Sequence, residues 1–185
     1  MTILGANLPV SGWTLAVLIV GGAVSLLAWR TIARLTRWRA SATLGALLSL
    51  TVVVALTMTP KGTQPTWGVA ACLPNDWNDF VYNVLHTGGG SAGDIFNFLL
   101  MFPLAFSLLL ATRRVWPSVL LSLALPTAIE FLQTVLPGRN CAITDMLTNS
   151  GGALLGVLAG WGVELRSRRS AQPGRQKSER QSVGP

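Results

Sequence analysis

The chain has 185 residues, of which 50% are hydrophobic and 11% charged, and its mean hydropathy is +0.50. A soluble core of this size cannot bury so much apolar surface, so the composition excludes an ordinary soluble domain. Because a helix rises about 1.5 Å per residue, about 20 apolar residues cross a hydrocarbon core of about 30 Å. We predict an all-α polytopic membrane bundle of five transmembrane helices, at residues 10–29, 41–59, 94–112, 115–136 and 143–163.

The net charge of +7 indicates membrane topology rather than nucleic-acid binding, because the basic residues alternate between loops. They concentrate between spans one and two, between spans three and four, and after span five, whereas the other two loops carry only Lys61 and Arg139. This positive-inside pattern predicts that the N-terminus lies outside and the C-terminus in the cytoplasm. The N-terminal residues lack the basic start and cleavage site of a signal peptide, so we expect span one to be retained.

The first two spans carry no strongly polar residue, and the outer loop that follows them is long enough to need structure of its own. Within this loop, residues 75–86 place apolar side chains at helical spacing, and Asn75 or Asp76 can cap the start. This pattern predicts a short interfacial helix that lies on the outer surface of the membrane. Such a helix either only covers the tops of the spans, which we favour, or contacts a ligand.

Each of the last three spans carries a polar pair on one helix face, at a spacing of three or four residues. Since consecutive spans alternate in direction, the start of span three, the end of span four and the start of span five meet at the outer side of the membrane. The sequence therefore predicts one polar layer, formed by Asp94 and Asn97, by Glu130 and Gln133, and by Asp145 and Asn149.

Three carboxylates at one level disfavour one another's ionisation, and the nearby cation is Arg139 in the short outer loop. Three arrangements would relieve the repulsion: Arg139 pairs with one carboxylate while another is protonated, the carboxylates hold a divalent cation, or the cluster binds a polar ligand. A hydrogen-bond network that only fixes the helices is the structural alternative. We assign no residue to a metal and expect no cofactor.

Span five continues with Gly152, Gly156 and Gly160, a ridge of small residues that lets another helix approach closely. Its partner is span three, span four or a second copy of the chain, and we expect an intramolecular partner. The oligomeric state is left open. The domain is predicted to cover residues 1–165, followed by a disordered basic tail over residues 166–185.

The two cysteines, Cys72 and Cys141, both lie in predicted outer loops, where a bacterial protein meets an oxidising compartment. We predict a disulfide that closes a loop of about 70 residues and contributes roughly 4 kcal/mol in the chain-entropy model. Two unpaired cysteines are the alternative.

Three segments together resemble a known family. They are DIFNFLLMFP at residues 94–103, IEFLQ at residues 129–133 and DMLTNSGGALLG at residues 145–156. In this order and spacing they are similar to the signature of VanZ-like membrane proteins, over about residues 50–162. The resemblance implies a small polytopic protein of the bacterial cytoplasmic membrane. It also implies a link to resistance against teicoplanin-type glycopeptide antibiotics, but no particular reaction.

We expect the polar layer and Arg139 to bind a polar headgroup of a cell-envelope lipid or a glycopeptide antibiotic, and so to influence envelope assembly or antibiotic tolerance. Membrane lipids are the expected partners, and nucleic acid is not. One alternative is an intramembrane enzyme that acts on envelope-lipid phosphates, with Glu130 or Asp145 as general base or metal ligand. No activated serine, Cys–His pair or histidine cluster supports it. A lipid or solute carrier with bends at Pro103 and Pro126 is the other alternative.

Overall fold

The computed structural model describes residues 2–3, 6–7, 11–59, 76–78, 81–82, 92–136, 138 and 143–170. Two short strands, β1 (Thr2–Ile3) and β2 (Ala6–Asn7), pair antiparallel at the start of the chain. The long helices of the described residues follow in the order α1 Gly12–Thr36, α2 Ala40–Thr57, α3 Ala92–Thr112, α4 Val115–Gln133 and α5 Ile143–Ser170.

Four of these helices, α1 to α4, are long and apolar enough to cross a membrane. Large apolar side chains cover their outward faces, such as Leu27, which is 83% exposed, and Ile19, which is 70% exposed. In lipid such faces are solvated by hydrocarbon, so they need no protein cover. The prediction of a helical, multi-pass membrane bundle is thus confirmed. A crossing by α5 is not confirmed, because α5 is not among the helices whose length and composition suit a membrane crossing.

Helix α3 lies at the centre of the bundle and packs against α2, α4 and α5. The buried core forms around it and includes Met101, Leu109, Val53, Ile129 and Val157. Helix α1 lies at the edge and packs on α2.

The glycine ridge of α5 packs directly on the backbone of α3. A Cβ atom built on Gly152 would clash with the carbonyl oxygen of Phe98, and one built on Gly156 would clash with that of Phe102. Since both helices advance by four residues between these contacts, α3 and α5 run parallel with a constant offset of 54 residues, 152 minus 98. The partner of the ridge is therefore span three of the same chain.

At the opposite end of the bundle from the start of α3, an ion-pair cluster joins three parts of the chain. Arg39 donates through Nη1 to Glu164 Oε2 at 3.1 Å, and Arg168 donates through Nε to Glu164 Oε1 at 3.2 Å. The backbone N–H of Arg39 also donates to the carbonyl of Ala111 at the end of α3, at 3.1 Å. The basic segment after α1, the end of α3 and the end of α5 are thereby held together.

Several predicted boundaries differ from the observed ones. Helix α5 continues to Ser170, five residues into the predicted disordered tail, because the Glu164–Arg168 pair stabilises its last turns. Residues 171–185 lie outside the described residues. Span four was predicted to reach residue 136, but α4 ends at Gln133 and the next three residues form a tight turn.

The predicted interfacial helix is described only in part. The side chain of Asp76 accepts a hydrogen bond from the backbone N–H of Asn78 at 2.7 Å, as a capping residue does. Trp77, Val81 and Tyr82 are in helical conformation and exposed. The other residues of this segment lie outside the described part of the chain, so the interfacial helix stays a prediction.

Candidate functional site

Gln133, the last residue of α4, joins this helix to the end of α2. Its side chain is buried, and its Nε2 atom donates a hydrogen bond to the carbonyl oxygen of Thr57 at 2.9 Å. A buried amide needs such a partner, because leaving it unpaired costs about 1–3 kcal/mol. The contact places the C-terminal ends of α2 and α4 at the same end of the bundle.

The register of the helices brings the start of α3 to the same end. Helices α2 and α3 run antiparallel, with Gly45 beside Ser107, so Thr57 is level with a residue close to Asp94. The offset of 54 residues between α3 and α5 then places Asp94 level with Thr148, next to Asn149. The predicted layer residues on α3, α4 and α5 therefore lie at one end of the bundle, within about two helical turns, or roughly 10 Å.

The burial of the six predicted residues divides them into two groups. Glu130, Gln133 and Asn149 are 2–5% exposed and so lie inside the bundle. Asp94, Asn97 and Asp145 are only partly buried and lie in the first turns of α3 and α5. The arrangement therefore has a buried set and a partly accessible set at the same end of the bundle.

Asn149 carries a buried hydrogen-bond acceptor that lacks a partner among the described residues. Its side chain is 2% exposed, and its Oδ1 atom finds no hydrogen-bond partner among the residues that the structure describes. An amide oxygen is an acceptor, so the group that would satisfy it must be a donor. Asn149 therefore points to a ligand that brings an N–H or O–H group.

The three carboxylates lie at one end but do not converge on a point. Within the described parts of the chain, no group of three or more His, Cys, Asp or Glu side chains is close enough to hold a metal ion. Of the three carboxylates, Glu130 is buried inside the bundle, whereas Asp94 and Asp145 are partly accessible.

Sequence reasoning missed two polar residues. The hydroxyl of Ser122 is buried in α4 and lacks a hydrogen-bond partner among the described residues. Glu164 is buried at the other end of the bundle and pairs with two arginines. The spacing of four residues between Glu164 and Arg168 is a signal that could have identified the ion pair between these two side chains.

Three residues of the predicted site fall outside the described part of the chain. They are Arg139, proposed to pair with a carboxylate or a phosphate, and the cysteines Cys72 and Cys141. The role of Arg139 and the disulfide between the two cysteines both stay predictions.

These features define a class: a helical, multi-pass membrane protein in which Glu130, Gln133 and Asn149 lie buried at one end of the bundle. A model of the VanZ/LLP1 family matches residues 58–163, more than half of the chain. The chain belongs to the VanZ/LLP1 family, as the three sequence segments predicted. No curated protein and no solved structure gives a significant match.

Proposed function

We propose that this VanZ/LLP1 protein binds the polar headgroup of a cell-envelope lipid at the cluster of Asn149, Glu130 and Asp94, and thereby influences envelope assembly or antibiotic tolerance. The observation that carries the proposal is the buried Asn149 Oδ1 atom without a partner among the described residues. An unpaired buried acceptor costs about 1–3 kcal/mol, a cost that a donating ligand would remove.

A lipid fits this site better than a glycopeptide does. Asn149 and Glu130 are only 2% and 3% exposed, so a bulky, water-soluble antibiotic has little access to them. A lipid headgroup can instead enter from the side of the bilayer, between helices. Antibiotic tolerance would then be an indirect result of changed envelope assembly.

We propose that the site lies on the outer side of the bacterial cytoplasmic membrane. The contacts of Arg39 with Glu164 and Ala111 bring basic segments together at the end of the bundle opposite to the site. By the positive-inside rule that end is cytoplasmic. We further propose that α5 is a fifth crossing, since it runs parallel to α3 along the ridge from Gly152 to Gly160.

The test replaces Asn149 with leucine, whose side chain has the same branched skeleton and no polar atom. If the oxygen serves a ligand, Asn149→Leu should bind less lipid yet be more stable in the absence of lipid, by about 1–3 kcal/mol. The measurements are the free energy of unfolding in detergent and the lipid that copurifies with the protein, identified by mass spectrometry.

The matched control is Thr148→Val at the adjacent position. Thr148 donates only within its own helix, to the carbonyls of Thr144 and Asp145 at 3.1 and 3.2 Å. The Thr148→Val variant should retain the copurified lipid. A loss of stability in Asn149→Leu with unchanged lipid would show that Asn149 only fixes the helices, and the proposal would be abandoned.

A further inference from the structure

An apolar cavity lies between α2 and α4, with α3 at its base. Its volume is about 240 Å³, and most of its lining side chains are aliphatic. The lining residues include Leu47, Met101, Leu104, Leu108, Leu121 and Ala153. An apolar cavity of roughly 150 Å³ already accommodates benzene, so this one has room for a longer hydrocarbon segment.

The cavity begins where the polar cluster ends. Ala153 follows Asn149 by four residues on α5, and Met101 follows Asn97 by four residues on α3, so each lies one turn deeper on the same helix face. A molecule that spans both regions would have one polar end and one apolar end.

We propose that the ligand of the site is a membrane lipid that inserts one acyl chain into this cavity while its headgroup donates a hydrogen bond to Asn149 Oδ1. The assignment rests on the proposed function and names the class of ligand. The bilayer supplies acyl chains at the opening between α2 and α4. The headgroup must carry N–H or O–H donors, because Asn149 Oδ1 is a hydrogen-bond acceptor.

The probe is a pair of phospholipids with a photoreactive diazirine on the acyl chain, one with an ethanolamine and one with a choline headgroup. The two have the same net charge, but choline has no N–H donor. The full chain is reconstituted into vesicles that contain either lipid, irradiated, and mapped by mass spectrometry. We expect cross-links at Leu104 and Leu108 on α3, with a yield about two- to tenfold higher for ethanolamine, the effect of one net hydrogen bond. Asn149→Leu should remove that preference.

Two variants that fill the cavity test whether the acyl chain of the lipid lies there. Leu47→Trp fills it from α2, and Leu121→Trp fills it from α4, where the side chain is 49% exposed and a larger group is easily tolerated. Both should lose most of the cross-links on α3. Leu48→Trp is the matched control, since Leu48 neighbours Leu47 and does not line the cavity.

The outcomes separate the two proposals. If the cross-links on α3 are unchanged in Leu47→Trp and Leu121→Trp, the cavity assignment is overturned. If those variants still prefer the ethanolamine lipid, the proposed function remains supported. Cross-links in the cavity without a preference for ethanolamine overturn the headgroup assignment and count against the proposed function.

Discussion

Replacing Gly152 with alanine should separate α5 from α3, because the added methyl group has no room. A Cβ atom at Gly152 would lie 2.7 Å from the carbonyl carbon of Phe98 and 2.9 Å from its Cα atom. Carbon atoms in contact are about 3.5–4.0 Å apart, so α5 must move away by roughly 0.8–1.3 Å to clear the carbonyl carbon. The atoms it meets belong to the backbone and cannot rotate away.

The energetic cost follows from that displacement. A gap of about 0.5–1 Å forfeits a quarter to a half of each contact's dispersion energy, and overpacking in a core costs about 1–3 kcal/mol. Alanine is favoured over glycine in a helix by about 1 kcal/mol, which offsets part of the loss. We expect Gly152→Ala to lower the free energy of unfolding by about 2 kcal/mol, measured by denaturant titration in detergent micelles.

Two other glycines of α5 provide the comparison. A Cβ atom at Gly162 would meet nothing within 4 Å, so Gly162→Ala should be neutral or slightly stabilising. At Gly160 the nearest atom is Leu109 Cδ2 at 3.0 Å, the end of a side chain that can shift, so the cost should be intermediate. Equal stability of Gly152→Ala and Gly162→Ala would refute the close packing of α5 on α3.

Three further predictions concern other parts of the chain. Glu164→Gln should destabilise the protein by roughly 1–3 kcal/mol, because the buried carboxylate pairs with Arg39 and Arg168, and a variant as stable as the parent would contradict that role. A disulfide between Cys72 and Cys141 should keep both thiols unreactive to maleimide on intact cells until reductant is added, and ready labelling without reductant would exclude the bridge. A fluorescent reporter fused after Ser170 should be active in the cytoplasm if α5 crosses the membrane, whereas an external reporter signal would oppose five crossings.

The position of the candidate site was predictable from the sequence. Carboxylates and amides inside apolar segments are conspicuous, and consecutive helices that each cross a membrane must alternate in direction. These two facts suffice to bring Asp94, Glu130 and Asn149 to one end of a bundle. The order of burial among them depends on how the helices rotate about their axes, which hydropathy does not reveal.

Other features could not be predicted. Serine is common in transmembrane helices and usually bonds to its own backbone, so nothing in the sequence distinguishes Ser122. Hydropathy marks the part of a helix that contacts hydrocarbon, but not where the helix ends. For this reason hydropathy did not predict that α1 extends to Thr36 and α5 to Ser170, well beyond the predicted spans.

Glu164 joins the start of α2 to the end of α5, 125 residues further along the chain. Its Oε2 atom accepts a hydrogen bond from Arg39, and its Oε1 atom accepts one from Arg168. Because the two arginines share one buried carboxylate, the destabilising effects of removing each arginine should not be additive.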